Sequence, residues 1–235
     1  MAASSALRVS KAPSDFFPAP QRPSFSNLDC ACAFALVGDA ADSRLLVGVA
    51  PPDSGRDGSA DIDEKEIRKE KPEELVVALA HAKADAILDK MRNNGMMKEI
   101  VDSQETTLLI TADQVVVHDG VIREKPTTPE EARKFIQGYS QSHAATIGSV
   151  LVTNVKTGTR REGWDKSEVY FHKIPNEVVE SLIEEGNVFY VAGGLLVEHP
   201  LTSPLVEAIV GTIDSAMGLP KALTEQLIKD SLQEP

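Results

Sequence analysis

The sequence predicts a layered fold of the α/β or α+β class, because stretches with helical spacing alternate with stretches typical of strands. Residues 72–92 place apolar side chains at helical spacing, and residues 220–232 repeat that pattern near the end of the chain. Between them, residues 107–126 contain two short apolar runs. An Asp-Gly pair follows these runs and precedes a further short stretch that ends at Pro126. The sequence shows no internal repeat.

The composition is that of a globular protein. Its 235 residues suffice for one large or two small domains, and with 42% hydrophobic residues they can fill a sizeable core. The longest apolar runs are far shorter than the roughly 20 residues of a membrane helix, so no membrane partner is expected. The net charge of −12 argues against nucleic-acid binding, although local lysines or a divalent cation still admit a small phosphorylated substrate. Cys30 and Cys32 are too close in sequence for an ordinary disulfide, and the rest of the chain has no cysteine, which fits a reducing compartment.

The first 59 residues are expected to form an atypical, partly disordered segment ahead of a domain spanning residues 60–235. Residues 1–27 are rich in Ser, Ala and Pro and carry three basic residues but one acid. This composition is typical of a transit peptide and equally of a disordered tail. Two short apolar runs, residues 30–37 and 45–49, are candidate strands.

The pattern becomes clearer at Asp61, where three carboxylates (Asp61, Asp63 and Glu64) open a charged run, DIDEKEIRKEKPEE. A solvated entry to a helix is the ordinary interpretation of such a run. Pro72 then begins a helix that is expected to end near residues 93–95, at Asn-Asn-Gly. Lys83 falls on or beside the apolar stripe of this helix, where a lysine usually lays its stem on the core and keeps its charge in water.

Residues 107–126 are predicted to form a strand, a tight turn and a returning strand. Asp113 lies between the apolar runs 108–110 and 115–117, and Asp119-Gly120 suits the positive φ angles of a two-residue hairpin turn. A carboxylate between two apolar runs is costly to bury unless a metal, a lysine or a hydrogen bond receives it. An outward-facing Asp113 on a half-exposed strand is the alternative.

Seven further elements follow the hairpin in the prediction. They are a helix from Thr128 to about Gln137, strands at 143–152 and 164–171, a helix at 176–185, an apolar stretch at 190–197, a short helix at 202–210 and a terminal helix at 220–232. The apolar stretch is interrupted by Gly193-Gly194, where a backbone can closely approach a ligand or another strand.

Carboxylates with nearby lysines suit the hydrolysis of a phosphoanhydride. Asp113 and the cluster around Glu64 would hold a divalent cation and orient or deprotonate a water. Lys83, Arg123 and Lys125 would neutralise phosphate charge in the transition state. The five histidines show no metal-ligand spacing, and the sequence has no Walker loop or serine-nucleophile elbow. Since any acidic protein offers such groups, the residues alone leave open whether they form a site.

Several motifs together resemble the Maf family, and they occur in that family's order. They are DIDEKEIRKEKPEELVVALAHAKADAI, LLITADQVVVHDGVIREKPTTPEEARKFIQGYSQSHAATIGSVLV, FYVAGGLLVEHPL and IDSAMGLPKAL, within about residues 60–232. The resemblance implies a nucleoside triphosphate pyrophosphatase that cleaves between the α and β phosphates of modified or pyrimidine nucleotides, with a divalent metal cation (Mg²⁺ or Mn²⁺). It also implies a Maf/ITPase-like α/β fold, a mixed twisted sheet flanked by helices with a central cleft, in a possible homodimer.

The resemblance assigns six residues to the site by their positions in these motifs. They are Asp113 as catalytic base and metal ligand, Glu64 as metal ligand, and Lys83, Gln114, Lys125 and Glu198 as substrate-binding residues. The two lysines would bind phosphate, Gln114 occupies a position linked to substrate choice, and Glu198 falls where the family reads the base. Members that use dTTP and UTP carry Gln in the stretch around Glu198, so the preferred base stays open.

The front of the chain departs from the family. Members begin with a strand and a Ser-rich loop ending in paired arginines that grips the triphosphate, and no such run occurs upstream of Asp61. Losing that loop would remove contacts worth on the order of 1.5–3 kcal/mol each. The alternatives to an active enzyme are therefore a catalytically impaired nucleotide-binding variant and a plain interaction protein. The resemblance implies a cytoplasmic location, with a plastid as the alternative if the N-terminal segment is a transit peptide.

Overall fold

The computed structural model describes residue 62, residues 64–233 and the backbone of residues 43–47. The candidate strand at 30–37, the carboxylates of Asp61 and Asp63, and nearly all of the segment 1–59 lie outside the described residues. The candidate strand at 45–49 overlaps the first described strand, β1 (Ser43–Val47).

A six-stranded sheet forms the centre of the described fold, in the order β1-β2-β4-β5-β6, with β3 also paired to β2. The other strands are β2 (Thr106–His118), β3 (Val121–Arg123), β4 (His143–Asn154), β5 (Arg160–Phe171) and β6 (Val206–Val210). Only the pairing of β1 with β2 is parallel, so the sheet is mixed. The predicted mixed sheet and the strand, turn and returning strand at 107–126 are confirmed.

Helices cover both faces of this sheet. They are α1 (Pro72–Asn93), α2 (Met96–Asp102), α3 (Pro129–Tyr139), α4 (Asn176–Glu185), α5 (Ile213–Ala216) and α6 (Lys221–Leu232). On one face, α1 packs its alanines against Leu109 of β2 and Leu151 of β4. On the other, Leu227 of α6 packs against Leu108 and Ile110. Successive side chains of β2 therefore point to opposite helices, as the pleat of a strand requires.

The prediction of a short helix at 202–210 is wrong. A 3₁₀ turn, Ser203–Leu205, leads instead into the edge strand β6, which pairs antiparallel with β5. Three of the five residues of β6 are β-branched, which favours a strand once a neighbouring strand is available to pair with it. Helix α3 also continues two residues past its expected end at Gln137, through Gly138 to Tyr139. No helix among residues 64–233 is long and apolar enough to cross a membrane.

Candidate active site

The cleft opens where β2 changes partners along one of its edges. Its other edge is paired continuously with β4 from Leu108 to Val117. On the cleft edge, β1 pairs as far as Ile110 and β3 pairs only from Val116 onward. Asp113 lies in the interval between these two partners and lines a cleft of about 580 Å³, a volume within the usual range for small-molecule sites.

The pleat of β2 directs Asp113 toward α1. Asp113 shares a face with Thr111, whose hydroxyl donates to the Ala80 carbonyl of α1 at 2.8 Å. The Asp113 side chain is 8% exposed and its Oδ1 accepts a hydrogen bond from the Lys83 ammonium. The predicted alternative of an outward-facing Asp113 is therefore wrong, because a lysine receives the buried carboxylate.

Lys83 does not extend its charge into water. It occupies the core-facing stripe of α1 next to the buried Ala80 and Ala84, and it is only 5% exposed. Besides Asp113, its Nζ contacts the Glu64 carboxylate at 3.0 Å. The ordinary interpretation of Lys83 as a lysine with a solvated ammonium is wrong, because two carboxylates supply the partners that water would otherwise provide.

Glu64, Lys83 and Asp113 shift one another's pKa values. Burial raises the pKa of Asp113 to about 6, with Lys83 acting in the opposite direction. Burial alone would lower the pKa of Lys83, but Asp113 and Glu64 outweigh it and hold that pKa above its usual value. Burial likewise would raise the pKa of Glu64, but Lys83 and then Lys125 outweigh it and keep that pKa low. At neutral pH the three side chains are two carboxylates sharing one ammonium, with Asp113 the more basic of the carboxylates.

Glu64 and Lys125 complete the charged part of the cleft. Glu64 begins a 3₁₀ turn, Glu64–Glu66, ahead of α1. Lys125 follows the end of β3, and its Nζ lies 3.9 Å from Glu64 Oε2. Most of the described residues in the charged run that suggested a solvated helix entry are exposed, but some of them also line the cleft.

Gln114 points to the opposite side of β2, toward α5. Its amide nitrogen donates to the carbonyls of Ser215 and Ala216 at 3.0 and 3.2 Å. Because both partners are carbonyls, the orientation of the amide is determined, and the oxygen is the group that remains for a ligand. Gln114 also lines the cleft.

A glycine turn and an arginine lie beside the cleft, where they bond to the lining residues Glu124 and Phe135. The Gly193 N–H donates to the Glu124 carbonyl at 2.9 Å, and the Tyr139 hydroxyl donates to the Gly193 carbonyl at 2.8 Å. A Cβ on Gly193 would lie 2.6 Å from the Tyr139 hydroxyl, so the close approach expected of the double glycine is confirmed. Arg123 was expected to face phosphate, but its guanidinium lies 4.9 Å from the Phe135 ring centroid and 5.0 Å from that of Tyr139. It fixes β3 to α3 and does not line the cleft.

Among residues 64–233 and residue 62, no cluster of three or more His, Cys, Asp or Glu suits a metal ion. The described carboxylates nevertheless fit a hard cation, since those of Glu64 and Asp113 converge on one ammonium. Mg²⁺ usually takes only one or two protein carboxylates and completes its shell with water and substrate phosphate oxygens.

The structure thus brings five of the six sequence-assigned residues together. Glu64, Asp113, Gln114 and Lys125 line the cleft, and Lys83 binds two of them. Glu198 is exposed and is not among the lining residues. Sequence reasoning missed the cations that follow Glu64. Their only signal was the charged run, whose proximity to β3 depends on a contact between Arg68 and Glu124, 56 residues apart.

The chain is similar in sequence to several known proteins. The family described as Maf-like protein matches residues 51–231. A 7-methyl-GTP pyrophosphatase of Dictyostelium discoideum is 38% identical over 175 residues, which cover 74% of this chain and 85% of the relative. A dTTP/UTP pyrophosphatase of Porphyromonas gingivalis is 30% identical over 182 residues, 77% of this chain and 81% of the relative. A nucleoside triphosphate pyrophosphatase of Salinispora tropica is 27% identical over 170 residues, 72% and 71% of the two chains. The chain belongs to the Maf-like protein family.

Proposed function

We propose that this protein is a nucleoside triphosphate pyrophosphatase that hydrolyses the α–β phosphoanhydride to a nucleoside monophosphate and diphosphate. The observation that carries the proposal is the buried Asp113 carboxylate, bound to Lys83 and facing a cleft that Glu64 and Lys125 also line. Family membership supports the reaction, since the relatives named above are nucleotide pyrophosphatases.

In this proposal, Asp113 acts as the general base. Its Oδ1 is bound to Lys83, so Oδ2 takes a proton from the attacking water. The water oxygen bonds to the α-phosphorus, the bond from that phosphorus to the bridging oxygen breaks, and diphosphate leaves with the bonding electron pair. With a pKa of about 6, Asp113 is mostly ionised at pH 7 and is a stronger base than an ordinary aspartate.

The cations of the cleft oppose the charge that moves onto the leaving diphosphate. Lys125 approaches Glu64 from the end of β3 and provides one such cation. Glu64 and Asp113 would hold Mg²⁺ or Mn²⁺, which would neutralise phosphate oxygens. Lys83 keeps the two carboxylates close together and ionised.

Gln114 and the named relatives suggest which nucleobases the substrate carries. With its amide nitrogen bound to two carbonyls, Gln114 offers an acceptor oxygen to a ring N–H of the substrate. Guanine, uracil and thymine rings all present such a donor. The relatives named for 7-methyl-GTP and for dTTP/UTP make these three nucleotides the first to test. The exposed position of Glu198 leaves its assignment to base recognition a prediction.

The test is a panel of nucleotides that includes 7-methyl-GTP, dTTP, UTP and the common ribonucleotides, assayed with Mg²⁺ and with Mn²⁺. We expect equimolar monophosphate and diphosphate from at least one of them, and no turnover with a chelator. Release of orthophosphate as the first product would overturn the proposed bond cleavage. Binding without turnover, measured by calorimetry, would instead favour an impaired nucleotide-binding variant.

The family resemblance also supports a cytoplasmic homodimer, which fractionation and light scattering would test.

A further inference from the structure

Three consecutive cations of the charged run form one side of the cleft. Lys65, Arg68 and Lys69, here called the basic edge, follow Glu64 directly and all line the cleft. None of them belongs to the residues assigned above to the site. All three are exposed.

The basic edge changes the local charge of an acidic protein. Although the chain carries a net charge of −12, the described residues that line the cleft include equal numbers of cations and acids. The cations are Lys65, Arg68, Lys69 and Lys125, and the acids are Glu64, Asp113, Glu124 and Glu131. Lys83 adds a further ammonium behind two of those acids. A cleft whose described charges nearly balance opposes the approach of an anionic ligand less than the acidic chain as a whole does.

Arg68 holds this segment against the end of β3. Its Nη1 donates to the carbonyls of Glu64 and Ile67 at 3.3 and 3.0 Å and to Glu124 Oε1 at 3.1 Å. Glu124 directly precedes Lys125 in the chain. The contact therefore ties the segment that carries Lys65 and Lys69 to the strand end that carries Lys125.

We propose that Lys65 and Lys69 bind the β and γ phosphates of the substrate and the diphosphate product. The inference rests on the proposed function only for the kind of ligand, a linear polyphosphate. The compact, mobile ammonium groups of lysine suit phosphate oxygens whose positions change as the bond breaks.

The experiment is calorimetric titration of inorganic tripolyphosphate, with Mg²⁺, into the full chain and two double variants. The Lys65→Gln/Lys69→Gln variant removes two cations from the basic edge. The matched control, Lys98→Gln/Lys229→Gln, removes two exposed lysines that do not line the cleft. We expect the edge variant to bind at least about tenfold more weakly, and the control to bind like the parent protein. Binding of a nucleoside monophosphate should not distinguish the two variants.

The outcomes separate this inference from the proposed function. If the parent hydrolyses nucleotides and the edge variant binds tripolyphosphate with the parent's affinity, the inference is overturned and the proposed function stands. If the edge variant alone binds weakly but the parent hydrolyses no nucleotide, the basic edge stands and the proposed function fails. If the parent neither binds tripolyphosphate nor hydrolyses nucleotides, both are overturned. Because all four lysines are exposed, the variants are expected to fold, and thermal unfolding checks this.

Discussion

Replacing Lys83 by glutamine should move the acidic limb of the pH–rate profile to higher pH. In the parent protein, burial raises the pKa of Asp113 to about 6 and Lys83 opposes that rise. The base is active as a carboxylate, so kcat/KM should be full well above pH 6 and fall as the pH drops through that value. The ammonium of Lys83 is the largest influence that opposes burial. Because the substitution removes it, the pKa of Asp113 must rise.

The size of the effect follows from the contact that is lost. An opposite charge in direct contact typically moves the pKa of a carboxyl by about 1–3 pH units. A rise of about two pH units would reduce the ionised fraction of Asp113 at pH 7 from roughly nine-tenths to roughly one-tenth. We therefore expect kcat/KM at pH 7 to fall about tenfold from this cause, and to recover much of the loss near pH 9.

The assay is a profile of kcat/KM between pH 5 and 9 at a fixed concentration of Mg²⁺ that saturates the nucleotide, so that the acidic limb reports the pKa of Asp113 in the free, metal-free enzyme. Lys125→Gln is the matched control in the same cleft. Among the groups that act on the pKa of Asp113, Lys125 has the smallest influence, so its loss should raise KM and leave the limb nearly in place. A limb that stays near pH 6 in Lys83→Gln would refute the reasoning that Lys83 sets the protonation of the base.

Two further substitutions test residues in or beside the cleft, Gln114 and Gly193, and a third, Gly95→Ala, is the control for Gly193→Ala. Gly193→Ala forces a residue with a Cβ to adopt a φ of 62° with that atom 2.7 Å from the Cβ of Val116, which should cost about 2–5 kcal/mol in urea unfolding. Gly95→Ala, at a φ of 82° with nothing within 4 Å of the added atom, should cost only the backbone strain, about 1–2 kcal/mol. Equal losses in the free energy of unfolding would mean that Val116 and Tyr139 move to accommodate the added atom. Gln114→Glu places a carboxylate against two carbonyls. We therefore expect the free energy of unfolding to fall by about 1–3 kcal/mol and the preference among nucleobases to change. An unaltered melting temperature would contradict the assigned amide orientation.

Much of the fold could be predicted because its signals are local. The helix at Asn176–Glu185 has the bounds that its spacing predicted, ending at a glycine with a φ of 81°. The Asp-Gly turn between β2 and β3 was likewise predictable, since both residues adopt positive φ angles. The edge strand β6 was not, because a five-residue stretch becomes a strand only through its pairing with β5.

The residues alone suggested Asp113, Glu64, Lys83 and Lys125 as candidates, but only the family resemblance assigned them to one site. Spacing on α1 places Lys83 on the apolar face but cannot tell a buried ammonium from a solvated one. That distinction depends on Asp113, which lies 30 residues away in the sequence. The basic edge depends in the same way on the contact between Arg68 and Glu124, which no local pattern reports.

The most direct test of the central claim is the single-turnover rate of Asp113→Asn with a nucleotide that the parent protein hydrolyses. Asparagine preserves the size of the side chain and an acceptor for Lys83 but cannot take a proton from water. We expect the rate to fall on the order of 10²- to 10⁴-fold, while calorimetry shows that the variant still binds the nucleotide. A variant that binds the nucleotide and hydrolyses it at a rate within a few-fold of the parent would contradict the assignment of Asp113 as the base.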